Sequence, residues 1–289
     1  MAGFKNFRQI NAAYDAGQFH LTSWRKQPTQ TTGSGIWFDL SMSPGNPVPN
    51  YYAATPLEAK VLSRSTDYGI NHGPAVSPMT KHLKSITAIT VTATAAPMPM
   101  ILCDYLMYYP FVDMSVAGGE FQPMVNGASL TRYTDGEGVQ IMAIEVASQI
   151  GSSYFYVTYT NQDGVSGRVS PTMRCNTQVV NGTVITSASA TAGSAGPFVP
   201  LQQGDTGVRL IEGVTFLAAG DVGLITLVLV KPIANHYLHD ITAPAERDFA
   251  IDFPSLPRVY DDAYLNFICH PAGTLASAQI TGLMEFVWN

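Results

Sequence analysis

The densest grouping of metal-ligand side chains in this 289-residue chain is His236-Tyr-Leu-His239-Asp240. Two imidazoles three apart with a carboxylate beside them are donor types that zinc accepts. That spacing puts both rings on one face in a helix and on opposite faces in a strand. The segment follows an apolar strand-like run and stops short of Pro244, so it reads as a loop, and a metal site is the weaker expectation. Cys103, Cys175 and Cys269 lack the CxxC spacing of a zinc or redox site and are too few for a disulfide framework, so buried thiols are expected. Cys269 and His270 adjoin at a strand end, where neighbouring side chains point apart, and no serine sits in a GxSxG elbow. Carboxylates for glycoside hydrolysis would have to come from Asp135, Glu137, Asp261 and Asp262, all in loop-like segments. Asp135-Gly-Glu-Gly138 reads as a tight turn, and Gly33-Ser-Gly35 likewise, because neither belongs to a phosphate-binding or dinucleotide fingerprint. Asn181-Gly-Thr183 matches a glycosylation sequon and also reads as a turn. Tyr105, Tyr108, Tyr109 and Phe111 have the rings of a sugar platform, but aromatics at strand spacing more often pack a core. The expectation is a chain with no catalytic residue, no cofactor and no metal.

Composition narrows the partners. The chain is 46% hydrophobic, enough for one large core or two modest ones, and only 12% charged, a surface suited to contact with other protein. Residues 1–85 carry eight Lys/Arg against four Asp/Glu, and residues 86–289 carry seven against seventeen. An acidic body is a poor nucleic-acid ligand, because affinity there comes from cations that displace condensed counterions. No window reaches the roughly 18 apolar residues of a membrane span, and the N-terminus lacks the apolar core of a signal peptide. Neither nucleic acid nor membrane is therefore expected as a partner.

The elements that must position these residues are mostly strands. Residues 1–50 alternate apolar clusters with turn formers and predict an extended arm, anchored by Phe4, Phe7, Tyr14, Phe19, Trp24, Trp37 and Phe38. Thr55, Pro56 and Glu58 fit a helix start and predict a helix near 56–65; Ser77-Pro78 predicts a second near 78–84. From Ile86 the chain turns to Val-, Ile-, Thr- and Tyr-rich runs bounded by turn residues, eleven candidate strands in all, among them 177–188 and 247–253. Leu224–Val230 is apolar at nearly every position and predicts a central strand buried on both faces. Residues 138–147, with Gln140 and Glu145, predict a strand with one face toward solvent or a partner. Tyr154–Thr172 predicts a hairpin: Phe155, Val157 and Tyr159 point one way, Tyr154, Tyr156, Thr158 and Thr160 the other, with Asp163-Gly164 and Gly167 in the loop and Pro171 limiting the return strand. Residues 187–200 are small and Gly-rich, a crossover or a subdivision point. The predicted organisation is an arm with short helices over 1–85 and a mainly β body over 86–289, an antiparallel β-sandwich or jelly roll.

The phrases GIWFDLSMSPGNPVPNYYAATPLEAKVL, YGINHGP and TKHLKSI, followed by the β run with YVTYTNQDGVSGRVSP, resemble structural proteins of tailed-bacteriophage virions, most closely in style the capsid decoration or cement proteins. The resemblance spans most of the chain and transfers no functional residue. It implies a non-enzymatic subunit on the capsid surface of a virion, made in the host cytoplasm. Its partners would be the major capsid protein and further copies of itself, as a trimer or dimer. From another class, a carbohydrate- or receptor-binding β-module of a phage tail or fibre would use loops such as 113–120 and 161–167.

Overall fold

Two long strands cross the molecule and pair with each other. β6 (Met98–Asp113) and β13 (Val222–Leu238) run antiparallel from Asp113 opposite Leu224 to Met98 opposite Leu238. The computed structural model describes residues 3–93, 95–175, 180–187, 196–241, 243–252 and 255–289. Around this pair a central sheet has the order β2 (Phe38–Asp39), β16 (Leu265–Cys269), β6, β13, β8 (Gln140–Ile150), with β4 (Lys60–Val61) also on β6. A terminal sheet has the order β14 (Ala245–Asp248), β5 (Lys81–Thr90), β17 (Ile280–Trp288), β1 (Phe19–Lys26), β3 (Gly45–Asn46), with β15 (Arg258–Val259) on β5. A distal sheet has the order β10 (Arg168–Val169), β9 (Tyr154–Asn161), β12 (Val208–Phe216), β7 (Phe121–Pro123), with β11 (Met173–Arg174) on β9. Every pairing between these strands is antiparallel, and the helices are short: α1 (Phe7–Asp15), α2 (Arg64–Asp67) and α3 (Phe249–Asp252). The fold is mainly β, with sheets packed face to face.

Alternation along β6 and β13 explains that packing. Leu106, Tyr109 and Val112 of β6 and Ile225, Leu227 and Leu229 of β13 meet Phe155, Val157, Ile211 and Phe216 of the distal sheet. Met98, Met100 and Leu102, with Leu238, meet Trp24, Leu83, Ile86 and Phe286 of the terminal sheet. The opposite face of the same strands carries Cys103, Tyr105, Tyr108, Val228 and Val230. Ile225–Val230 is buried between β6 and β8, as its nearly continuous apolar run implied. Pro232 lies just beyond the stretch of β13 that β8 covers, where a missing N–H breaks no ladder bond to β8.

The edge of β8 is closed by a short segment. Glu145 N donates to Thr183 O, Gly182 N donates to Glu145 O, Asp39 N donates to Gly182 O, and Val184 N donates to Trp37 O. Since β2 already pairs with β16, these bonds close the central sheet into a ring around Met42, Tyr52, Tyr105, Met142 and Tyr264. Gly182 has φ +99°, and a Cβ there would lie 2.8 Å from the Phe38 ring, so the closing turn needs glycine. This Asn181–Thr183 turn matches the expectation for the sequon-like triplet.

Several expectations fail for physical reasons. Residues expected as an extended arm supply α1, capped by Asn6, and β1, an interior strand of the terminal sheet paired with β17 from Phe19–Val287 to Lys26–Ile280. The division drawn at residue 85 falls inside β5. No helix forms near 56–65: Leu57 N donates to Pro110 O and Ala59 N to Val125 O, and this long-range pairing overrides the local cap signal, leaving only α2 behind its Ser63 cap. No helix forms near 78–84 either, since β5 begins at Lys81 between β15 and β17. Candidate strand 247–253 gives β14 followed by α3, and the described part of 177–188 is a turn and a 3-10 turn rather than a strand. Most of the 187–200 crossover lies outside the described residues. The hairpin forms as expected, with Gly164 at φ +77° and Asn161 Oδ1 accepting from the N–H of Asp163 and Val165; pairing resumes past Pro171, at Met173–Arg174.

Glu145 corrects the expectation of a half-wet β8. Its side chain is buried and neither carboxylate oxygen has a hydrogen-bond partner among the described residues. Burial pushes its pKa from 4.5 up to about 7, a shift that the backbone N–H of Gln149, too poorly placed for a hydrogen bond, offsets only in part. Between those values the folded chain holds a proton that the unfolded chain releases, so stability falls as pH rises from about 4.5 to 7. Glu145→Gln is expected to flatten this loss, which amounts to roughly 2–3 kcal/mol, in urea titrations from pH 5 to 8; an unchanged slope would refute the assignment.

A second buried charge is fully paired. Asp104, in β6, accepts from Arg132 Nε at 2.9 Å and Nη2 at 2.8 Å and from Tyr264 N at 3.0 Å, while Nη2 also donates to Leu62 O and Tyr105 O. Arg132→Met leaves that carboxylate unpaired and is expected to cost about 3–5 kcal/mol by denaturant unfolding, part of which Asp104→Asn in the same chain restores. A cost within experimental error would mean that the pair does not hold the 131–133 loop.

Candidate functional site

The structure places each chemically suggestive residue. His236 lies within β13, buried, with its pKa lowered to about 4 by burial; His239 follows the strand and is exposed, its ring stacked on Tyr237. Burial alternates from residue 236 to 239, so the two histidines are on opposite faces and Asp240 is exposed beyond them. Among the described residues, no three His, Cys, Asp or Glu side chains gather in a metal-binding group. All three cysteines are free and buried, and burial pushes each thiol pKa up, so none is a ready thiolate. His270 packs on Trp37, whereas the Cys269 thiol faces Phe38 O.

The loop carboxylates act as ties. Asp135 Oδ1 accepts from Glu137 N, and Glu137 accepts from Thr206, making the 135–138 turn that the sequence implied. Asp261 accepts from Val76 N and Ser77 N and pairs with Lys81 at 3.3 Å; Asp262 accepts from Ser65 N. Tyr105, Tyr108 and Tyr109 are core residues, which leaves no sugar platform there. The loops 113–120 and 161–167 are not neighbours either. Gly118 approaches Leu217–Ala219 beyond one end of β12, and Asn161 pairs with Val208 at the other, roughly eight residues or about 25 Å apart along the strand.

Two polar clusters were not legible as such. Asp39, buried, accepts from Tyr52 and Tyr105 hydroxyls at 2.6 Å each and from the Ser41 hydroxyl and N–H; burial pushes its carboxyl pKa up against these donors. Nearby Lys26 is also buried and donates to the carbonyls of Ser43 at 3.0 Å and Pro47 at 2.8 Å, with burial lowering its pKa to about 8. In the second cluster Lys81 Nζ meets His72 Nδ1 at 3.1 Å, Pro74 O at 2.6 Å and Asp261. His72 Nε2 donates to Ala263 O, and burial, then Lys81, lowers the His72 pKa to about 3. The ring is therefore neutral. Both ammonium groups are buried, and the clusters fasten chain segments.

What remains accessible is a surface. On β1, Trp24 and Lys26 face inward while Phe19, Leu21, Ser23 and Arg25 face out; on β17, Ile280, Met284 and Phe286 face inward and Leu283 faces out. Leu21 stands opposite Glu285 and Ser23 opposite Leu283, so Leu21 and Leu283 are diagonal neighbours on one face. They are 56% and 46% exposed. α1 covers one end of this face, with Tyr14 stacked on Phe19 at 5.0 Å, and presents Phe7 outward at 59% exposure. Between α1 and α3 a cleft of ≈ 410 Å³ is lined by Phe7, Tyr14, Lys84, Asp248, Ile251 and Glu285. Lys84 bridges Asp248 at 2.5 Å and Glu285 at 3.8 Å in its floor. The arrangement is an apolar strip with a paired polar centre, the chemistry of a protein contact.

No family model matches the chain, and no curated protein matches it. Among solved structures it is similar to the infectious bursal disease virus Gt strain, with a TM-score of 0.17 and 8% identity, covering 94% of this chain and 81% of that one. It is similar also to the VP2 subviral particle of infectious bursal disease virus, with a TM-score of 0.17 and 10% identity, covering 94% of this chain and 80% of that one. Scores of this size do not establish a shared fold, and the β architecture rests on the strand pairing described above.

Proposed function

We propose that this chain is a non-catalytic structural subunit of a virus particle, a decoration subunit of a tailed phage that docks on the capsid lattice against the major capsid protein and associates with copies of itself as a trimer or dimer. The observation that carries the proposal is the outer face of the terminal sheet, where Phe19, Leu21 and Leu283 are exposed on paired strands, with the exposed Phe7 on α1. An apolar strip on paired strands is pre-ordered, so its burial costs little conformational entropy. The phage-like phrases of the sequence agree with this use, and so does a chain with only 12% charged residues. Repetition over a lattice turns modest single contacts into firm attachment, which fits a surface of limited apolar extent. The two-loop receptor site fits the geometry less well, because its loops lie at opposite ends of β12.

Quantitative mass spectrometry of purified virions measures the copies of this chain per major capsid protein. A ratio near one, or one third, is expected of a lattice-wide decoration subunit; a few copies per particle would move the chain to the neck or tail, and absence would remove it from the virion. The double variant Leu21→Asp and Leu283→Asp is expected to keep its melting temperature within a few degrees, since both side chains are exposed, and to lose about tenfold or more in incorporation. Incorporation at the unmodified level would exclude this face as the contact.

A further inference from the structure

A groove of ≈ 560 Å³ opens between the loop after β3 and the turn that ends α2, lined by Asn46, Val48, Arg64, Ser65, Tyr68 and Asn71. Tyr68 follows α2 with φ +59° and ψ +51°, the left-handed position where glycine is favoured because a side chain costs about 1 kcal/mol. Other tyrosines with positive φ recover that cost in packing. Tyr52 is buried with its hydroxyl on Asp39, and Tyr133 packs edge-on against Tyr260 at 4.9 Å. Tyr68 does neither: its side chain is 66% exposed, and among the described residues its hydroxyl has no hydrogen bond and its ring no aromatic or cationic partner. The fold gains nothing visible from an aromatic here.

The groove has an apolar lining of Pro47, Val48 and the Tyr68 ring, with polar side chains held in place among it. Asn71 Oδ1 accepts from Arg64 Nη1 at 2.9 Å and from Gly73 N at 3.1 Å, which leaves the Asn71 amide N–H groups uncommitted. Asn46 donates its amide to Ser23 O at 3.3 Å, which leaves its carbonyl oxygen as an acceptor. Arg64 is further held by Gly73 O at 2.6 Å and faces no carboxylate within salt-bridge distance among the described residues. An open ring face beside planar amides and a guanidinium, all held by backbone contacts, suits a ligand with apolar C–H faces and many hydroxyls. Its amide and guanidinium groups beside an exposed ring distinguish it from the apolar strip on the terminal sheet.

We infer that this groove is a saccharide-binding site, with Tyr68 as its stacking platform and Asn46, Asn71 and Arg64 as its hydrogen-bonding groups. The site is independent of where the subunit sits in a particle. Saturation-transfer NMR on the full chain, with maltoheptaose, chitotetraose and 3′-sialyllactose as probes at millimolar concentration, tests it. Saturable transfer is expected to at least one probe, weakened about tenfold or more in Tyr68→Gly and restored in Tyr68→Trp. Glycine suits the left-handed backbone, so the Tyr68→Gly variant is expected to melt at or above the temperature of the unmodified chain. No transfer to any probe would overturn the inference, as would equal transfer in Tyr68→Gly. A lowered melting temperature in that variant would also overturn it, by showing that the ring serves the fold.

Discussion

Antiparallel pairing of β6 with β13 is the constraint from which the rest follows. Each strand spans more than one core, so neither can slip by one residue without moving Leu227, Leu229, Val228 and Val230 to the wrong faces at once. Each such buried aliphatic side chain contributes about 2 kcal/mol, and a slip exposes or misplaces several together. Register shifts between Ile225 and Leu227, Leu229 and Val230, and Pro232 and Ala234 absorb the strand's curvature as it passes from the distal sheet to the terminal one. The terminal and distal sheets then form where these strands present apolar faces. Closure by residues 182–184 follows because β8 would otherwise present an open edge.

A chain with few charges has placed several of them inside. Lys26, Lys81, Asp39, Asp104, Arg132 and Glu145 are all buried. Five of the six have partners that belong to loops: Lys26 holds the carbonyls after β2, Lys81 gathers residues 72–74 and 261, and Arg132 with Asp104 pins residue 62 to residue 264. Backbone in those loops has few ladder partners, and buried charge supplies directional bonds where strands cannot. Glu145 is the exception, paired through its backbone alone. Its cost is borne by the ring closure that its own N–H and C=O make.

The legible parts of the fold were those in which local pattern and tertiary burial agree. The run at 224–230 announced its central place because Thr226 alone interrupts its apolar positions, and the hairpin at 154–169 because period-two alternation and turn glycines coincide. α1 escaped notice because only Ile10 and Ala13 face the body, too short a stripe to show a period, although Asn6 capping Gln9 was there to find. β1 escaped because Phe19 and Leu21 are exposed apolar residues and Lys26 a buried polar one, the reverse of a half-buried strand. The cap signals at Thr55 and Ser77 misled because hydrogen bonds to residues 110 and 125, and pairing to β17, outweigh a cap worth about 1 kcal/mol. Neither the apolar strip nor the groove was readable, since each joins segments far apart in the chain: residues 21 and 283, and residues 46 and 68.

The exposed residues divide between two chemistries. Leu21 and Leu283 project from paired strands, where the backbone is relaxed and only hydration is unfavourable; burial against a partner relieves that cost directly. Tyr68 carries its cost in the backbone as well, in a left-handed cap that the fold could fill more stably with glycine. A residue whose exposure and backbone are both unfavourable is poorly explained by a flat contact, which needs apolar area and no particular ring orientation. It is better explained by a ligand that requires one ring held in one direction beside fixed amides. On this argument the strip and the groove, which adjoin where Asn46 bonds Ser23 O, differ in chemistry: one suits a broad protein contact, the other a small polyhydroxylated group.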